Sequence, residues 1–257
     1  MEKFPAWMRR TTATALVVVM TISLGIVASA QFRRQRSRLH QPPTDTAFVF
    51  ARVQFSSGLR GFMGGRGWAH DYPDAEEHIL QLANEATGIN TQKMSYVIVR
   101  LDSEEIFNYP FIYFSEVGEM GMTETETQNL REYFNRGGFA MIDDFYGGYE
   151  LANFVSEMKR VFPTRDLVEL SIEHPIFHTF YEIPTLGIIP PYKPYRQPGP
   201  PKFYGYFDDH GRMLMIINHN NDLGDFWEWI GQPRYPLEPS TVALRFGINY
   251  LIYTLSH

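Results

Sequence analysis

Residues 137–148, GGFAMIDDFYGG, decide how this chain folds. Four apolar residues at 139–142 run directly into two carboxylates, Asp143 and Asp144, and a glycine pair stands on each side. A short apolar run bounded by glycines is typical of a buried strand, which we expect to span residues 139–143. Because successive strand residues point to opposite faces of a sheet, we expect one aspartate to face a crevice and the other to cap the next turn.

Strand and helix patterns alternate outward from this segment. Further strands are predicted at residues 48–55, 96–101, 111–115 and 167–170, with a hairpin of residues 203–207 and 213–218 around Gly211. Helices are predicted from Asp74, as the N-cap, to Gly88, from a capping box of Thr123 and Glu126 to Gly137, over residues 151–158 and over residues 240–255. Such alternation with short connections predicts an α/β fold with a mainly parallel sheet that helices cover on both faces.

Length, charge and composition exclude several classes of function. The 257 residues suffice for one sizeable α/β domain. The formal net charge of −6 gives no general affinity for nucleic acid. The sequence contains no cysteine, which excludes disulfides, thiolate metal sites and cysteine nucleophiles.

The N-terminal region predicts export or membrane anchoring. Residues 13–30, ATALVVVMTISLGIVASA, form an apolar run that ends in an A-x-A pattern, typical of a signal peptide cleaved before Gln31. The run is also long enough for a membrane anchor, and the basic residues at 33–38 favour a cytoplasmic location for that end. We therefore expect either export to the periplasm or anchoring in the inner membrane. The expected segments are 1–30 (signal peptide or anchor), 31–45 (basic, disordered linker) and 46–257 (folded domain).

Polar and aromatic residues follow several of the predicted strands. The carboxyl ends of parallel strands meet at one edge of a sheet, where ligands bind in this fold class. We expect Asp71, Asp144 and His219 to converge on one crevice there. Arg66 or Arg212 could offset the repulsion between the two carboxylates. The full set of candidate binding residues is Arg66, Trp68, His70, Asp71, Tyr72, Glu116, Asp143, Asp144, His219, Asn220, Asn221 and Asp222.

The loop RGWAHDYP, residues 66–73, has a functional and a structural interpretation. Trp68 and Tyr72 could stack on a sugar or a base, with His70 and Asp71 as polar contacts. Alternatively, the aromatic rings plug the domain and the aspartate caps the following helix.

The adjacent aspartates Asp143 and Asp144 also have two interpretations. They could hold a divalent cation, or act as acid and base with separated pKa values. Alternatively, Asp144 caps a turn and Asp143 pairs with an arginine.

Two further segments contain side chains of the types that bind metals. The segment NHNNDLGDFWEW, residues 218–229, offers oxygen-rich side chains, including Asp225, that could bind calcium. It does not match an EF-hand loop and could equally be a loop of Asx turns. His174 and His178 are four residues apart but lack the glutamate of an H-E-x-x-H motif, so we expect no zinc site there.

Four segments resemble a known bacterial family. They are GWAHDYPDAEEHILQLANEATGI (67–89), YPFIYFSEVGEMGMTETETQNLREYFNRGGFAMIDDF (109–145), EHPIF (173–177) and GRMLMIINHNNDLGDFWEW (211–229). Together and in this order, the segments resemble the family called domain of unknown function four-one-five-nine. The resemblance covers about residues 46–257. The resemblance implies a flavodoxin-like three-layer sandwich, similar to class I glutamine amidotransferases and trehalose-utilisation-like proteins. It also implies partners among MoxR-type ATPases and von Willebrand A-domain proteins, but no established activity, and the amidotransferase cysteine is missing.

These features favour a non-catalytic ligand- or partner-binding module at the cell envelope, because no nucleophile–base arrangement is recognisable. We expect no cofactor, and a divalent cation is the one that these residues could hold. One alternative is a hydrolase acting on carbohydrate or another small polar substrate, built from His70, Asp71, Asp144 and His219. Another is a structural subunit of a membrane complex with a MoxR-type ATPase, in which the Pro-rich loop at 189–202 is a contact arm.

Overall fold

The computed structural model describes residue 42 and residues 48–57, 67–188, 199–233 and 235–257. The predicted signal peptide or anchor, the linker apart from residue 42, Arg66 and most of the Pro-rich loop lie outside these residues. Within the described ranges, no helix combines the length and the apolar character needed to cross a membrane.

One seven-stranded sheet forms the centre of the fold. Its strands are β1 (Phe50–Gln54), β2 (Tyr96–Arg100), β3 (Phe111–Ser115), β4 (Phe139–Phe145), β5 (Val168–Glu169), β6 (Lys202–Phe207) and β7 (Met213–His219). Their order is β2-β1-β3-β4-β7-β6-β5, and β2, β1, β3, β4 and β7 run parallel, whereas β6 is antiparallel to both of its neighbours. The first four strands follow the flavodoxin-like order. The predicted mainly parallel sheet with a hairpin near the C-terminus is therefore confirmed.

Helices cover both faces of the sheet. They are α1 (Asp74–Thr87), α2 (Glu124–Asn135), α3 (Gly147–Val161), α4 (Leu223–Glu228) and α5 (Leu237–Ser256). One buried apolar cluster joins α1, α4 and α5 to the sheet through side chains such as Ile79, Phe226 and Phe246. A second cluster joins α2 and α3 to the other face through Leu130 and Phe154. The three-layer α/β sandwich is thus confirmed, and we call its two sides the α1–α5 face and the α2–α3 face.

Two helix boundaries follow local sequence signals, and a third does not. The capping box of Thr123 and Glu126 is present at the start of α2, and Gly88, with a φ of 72°, ends α1 in the left-handed conformation that glycine favours. The prediction that Asp74 is an N-cap was wrong, because Asp74 is already the first residue of α1. The turn that leads into the helix begins before Asp74, since the carbonyl oxygen of Asp71 accepts a hydrogen bond from the Ala75 amide.

A β-bulge near the end of β4 sets the positions of Asp143 and Asp144. Ile142 and Phe145 both pack on the α2–α3 face, although strict alternation would place them on opposite faces. The pairing of β4 with β7 shifts register between these two residues, and Asp144 has a φ of 55°. The strand therefore runs two residues further than predicted. The N-cap position of α3 belongs to Tyr146 and not to Asp144.

Candidate functional site

Unusual backbone conformations mark the carboxyl edge of the parallel strands. In the described part of the chain, the residues other than glycine with positive φ are Asp71 (61°), Glu116 (54°), Asp144 (55°) and Asn220 (62°). Asp71 lies in the loop after β1, Glu116 and Asn220 directly follow β3 and β7, and Asp144 lies in the bulge of β4. Such conformations are uncommon outside glycine and concentrate at functional sites. The backbone therefore indicates the same edge at which the topology predicts a site.

Four side chains meet at this edge, and we call them the carboxylate cluster: His70, Asp71, Asp144 and Asp222. Each offers one ligand atom, and these atoms all lie within 4.8 Å of one another. The Nδ1 atom of His70 lies 3.0 Å from Oδ1 of Asp71 and 2.9 Å from Oδ2 of Asp144. The three aspartates are buried, whereas the His70 side chain is 24% exposed and gives the cluster its contact with solvent.

Helix α4 supplies Asp222 and part of the wall of the site. Asp222 is the N-cap of α4, and its Oδ1 accepts a hydrogen bond of 2.9 Å from the Asp225 amide. Its Oδ2 is buried and accepts no hydrogen bond from any described residue. The segment at 218–229 is therefore a strand end and a short helix rather than only a loop, and Asp222 is the member of that segment that joins the cluster.

Asp143 stands behind the cluster and is held by two donors. Its Oδ2 accepts hydrogen bonds from the Gly224 amide at 3.0 Å and from the Tyr113 hydroxyl at 3.2 Å. Among the described residues, no arginine forms an ion pair with Asp143. Gly224 allows this close packing, because a Cβ atom there would lie 2.6 Å from Oδ2 of Asp71 and 2.8 Å from the Tyr113 hydroxyl.

Arg52, a residue that the sequence interpretation missed, fixes the loop that carries His70 and Asp71. Its buried guanidinium forms an ion pair with Glu76 and donates to the carbonyl oxygens of Trp68 at 2.9 Å and His70 at 2.7 Å. The signal in the sequence is a lone arginine inside the apolar strand FVFARVQF. A buried charge in a strand needs a partner, and here that partner lies on α1.

Burial and mutual repulsion shift the pKa values of the cluster. Burial raises the pKa of Asp71 and of Asp222, and Asp144 raises both further by charge repulsion. Burial also raises the pKa of Asp143, to about 7. For His70, burial lowers the pKa, but the contacts with Asp144 and Asp71 outweigh it and raise the pKa to about 11. The site therefore favours positive charge, whether as protons or as a bound cation.

His219 does not join the cluster. Its ring packs against Phe145 and Tyr204, which belong to the α2–α3 face, and its Nε2 lies 3.0 Å from the carbonyl oxygen of Gly147. The structure thus brings Asp71 and Asp144 together as the topology predicts, but not His219. A catalytic set that combines His219 with His70, Asp71 and Asp144 is not assembled.

The asparagines and Glu116 lie at the same edge of the sheet. Asn220 accepts a hydrogen bond of 2.9 Å from the Gly147 amide and donates one of 3.0 Å to the Pro200 carbonyl oxygen. Asn221 is buried and pairs its backbone with Phe145. Glu116 is half-buried and directly follows β3 in the left-handed conformation.

The aromatic candidates take part in packing. The Tyr72 ring meets the Tyr96 ring edge-on, with 5.6 Å between the centroids, and packs against the core of the α1–α5 face. Trp68 is half-buried and packs against the α2–α3 core. These contacts agree with the interpretation of the loop as a plug.

Arg212 lies at the opposite edge of the sheet, so the expectation that it offsets the carboxylates was wrong. Its guanidinium donates to the carbonyl oxygens of Phe134 and Gly138, which precede β4, whereas Asp144 lies at the other end of that strand. Arg66 lies outside the described residues. His174 and His178 form no shared site, since His174 accepts from the Ile176 amide and His178 contacts Glu182.

Comparison with known proteins identifies a family. A comparison with curated proteins gave no match. The family model described as Domain of unknown function (DUF4159) matches residues 49–255, which run from the residue before β1 to the last turn of α5. Because this match covers most of the chain and the whole sheet, the chain belongs to the DUF4159 family.

Proposed function

We propose that this domain binds a divalent cation in the carboxylate cluster of His70, Asp71, Asp144 and Asp222. The observation that carries the proposal is the convergence of these side chains, with ligand atoms within 4.8 Å of one another, around a buried Asp222 oxygen that accepts no hydrogen bond from any described residue. A buried carboxylate oxygen without a donor is costly unless something positive occupies the space in front of it.

The charge balance of the cluster supports a doubly charged ligand. Metal ligation requires the neutral imidazole, so three ionised aspartates with His70 sum to −3, and one divalent cation offsets two of these charges. Arg52 does not supply this charge, because its guanidinium is paired with Glu76. Among the described residues, no lysine or arginine forms an ion pair with Asp71 or Asp222.

The ligand set indicates which ions suit the site. Two ligands of one ion lie at most about 4.2 Å apart for bonds near 2.1 Å, so the cluster has to contract only slightly from its span of 4.8 Å. One imidazole with three carboxylates suits first-row ions such as Mn²⁺ and Zn²⁺ better than ions that prefer oxygen alone. The exposed part of the His70 side chain leaves a route by which an anionic group of a small polar ligand can reach the cation.

Calorimetric titration of the chelator-treated protein with Mn²⁺ or Zn²⁺ tests this proposal. We expect saturable binding that Asp222→Asn weakens by at least about tenfold, because one charged ligand is lost. Asparagine is as good an N-cap as aspartate, so the start of α4 is retained. Glu85→Gln, which changes an exposed carboxylate on α1, is the matched control and should bind like the unmodified protein. No saturable binding by the unmodified protein, or equal binding by Asp222→Asn, would refute the proposal.

A further inference from the structure

We infer that a second divalent cation binds between Asp71, Asp225 and Glu228, beside the first, with Asp71 bridging the two ions. This inference rests on the proposed function. The three side chains each offer one ligand atom, and these atoms lie within 4.8 Å of one another. Asp71 is therefore common to both groups of ligands.

The Asp71 side chain provides the independent observation. It is completely buried: Oδ1 lies 3.0 Å from His70 Nδ1, and Oδ2 accepts no hydrogen bond from any N–H or hydroxyl group of the described residues. A single cation in the carboxylate cluster needs one of these oxygens, which leaves the other buried without a donor. A carboxylate has two oxygens with several lone pairs, so Asp71 can bind one ion through each.

The other two ligands are placed by the same short helix that places Asp222. Asp225 and Glu228 are three residues apart in α4, a spacing that puts their side chains on one face of the helix. Asp225 Oδ2 accepts a hydrogen bond of 3.3 Å from the Tyr235 hydroxyl, which orients the carboxylate, and Glu228 is half-buried and open to solvent. The hydrogen bond that the Asp225 amide donates to Asp222 therefore links the second group of ligands to the first.

The second group differs from the first in chemistry. It contains oxygen ligands only, which suit Mg²⁺, Mn²⁺ and Ca²⁺, whereas the first includes an imidazole. Mn²⁺ is acceptable to both, so it is the probe that should occupy both sites at once. Two ions that share a bridging ligand stand about 3.5–4 Å apart in proteins, close enough for two Mn²⁺ centres to couple magnetically.

Metal stoichiometry after equilibrium dialysis against excess Mn²⁺, combined with electron paramagnetic resonance, tests the inference. The folded, unmodified protein should hold two Mn²⁺ per chain with the spectrum of a coupled pair. Glu228→Gln should hold one Mn²⁺ with the spectrum of an isolated ion, because Glu228 is a ligand of the second group only. The control Glu85→Gln should retain two.

The outcomes separate this inference from the proposed function. No bound Mn²⁺ in the unmodified protein contradicts both. One Mn²⁺ in the unmodified protein and also in Glu228→Gln leaves the proposed function standing and overturns the second site, as does a count of two in both proteins. Asp225→Asn is a second variant in case Glu228→Gln misfolds by near-UV circular dichroism, because asparagine can still accept the hydrogen bond from Tyr235, and it too should hold one ion.

Discussion

The Nδ1 atom of His70 lies 2.9 Å from Oδ2 of Asp144, which joins the loop after β1 to the bulged end of β4. The parallel strands bring the two chain segments to one edge, and the bulge turns Asp144 towards His70 instead of into the α2–α3 core. This contact explains why a buried strand ends on two adjacent carboxylates. Asp144 forms part of the cluster, and Asp143 lies behind it.

Asp144→Asn should weaken cation binding without destabilising the cation-free protein. Asparagine tolerates the left-handed conformation of position 144, so the bulge is retained. Removal of this charge relieves the repulsion of Asp71 and Asp222 but weakens the contact with His70, so we expect the urea midpoint of the cation-free variant to change little. With Mn²⁺ present, the unmodified protein should gain stability and the variant much less. A variant that gains as much stability from Mn²⁺ would contradict a ligand role for Asp144.

The stability of the cation-free protein should fall as the pH rises. The folded pKa of Asp143 is about 7, above the usual value of about 3.9 for an unfolded chain, so the folded state binds more protons between these values. Its contribution to stability is therefore full below about pH 4 and is lost as the pH rises through 7. Asp71, Asp222 and His70, whose pKa values are also raised, act in the same direction.

Urea unfolding in the presence of a chelator, at about pH 5 and pH 8, measures this dependence. We expect the lower midpoint at pH 8. Saturating Mn²⁺ should reverse the trend, because cations bind the deprotonated ligands and displace protons. A cation-free midpoint that increases from pH 5 to pH 8 would contradict the account of buried, repelling carboxylates.

Gly224→Ala should damage the site through sterics. A Cβ atom at this position would lie 2.6 Å from Oδ2 of Asp71 and 2.8 Å from the Tyr113 hydroxyl, and both neighbours are buried. Overpacking of this kind costs about 1–3 kcal/mol of unfolding free energy, and displacement of Asp71 should weaken Mn²⁺ binding as well. The control is Gly148→Ala in α3, where a Cβ meets nothing within 4 Å and alanine favours the helix. Equal stability and affinity for both variants would show that the close approach at Gly224 is not required.

Part of this site was predictable from the sequence, because topology alone delivers Asp71 and Asp144 to one edge of a parallel sheet. The bulge was not, since a left-handed aspartate leaves no periodic signal and the pairing of β4 with β7 is non-local. His219 was misassigned because its side chain lies on the other face of the same edge. The only sign of Arg52 in the sequence is a charge inside an apolar strand, which requires a buried partner but does not say where that partner lies.

Arg52 should act through the position of the loop at His70 and Asp71. Arg52→Met leaves Glu76 buried without its partner, which should cost about 3–5 kcal/mol of unfolding free energy. Arg52→Met combined with Glu76→Met removes both charges and should recover most of that stability. The loop would still lack the bonds to the Trp68 and His70 carbonyl oxygens, so Mn²⁺ affinity should stay reduced. Full recovery of affinity together with stability in the double variant would show that Arg52 does not position the site.

Anomalous diffraction from crystals grown with Mn²⁺ tests the central claim most directly. The account predicts a manganese peak at about 2.0–2.3 Å from one ligand atom each of His70, Asp71, Asp144 and Asp222. A map at saturating Mn²⁺ without a peak among these four side chains, in a protein whose cluster is otherwise intact, would contradict it.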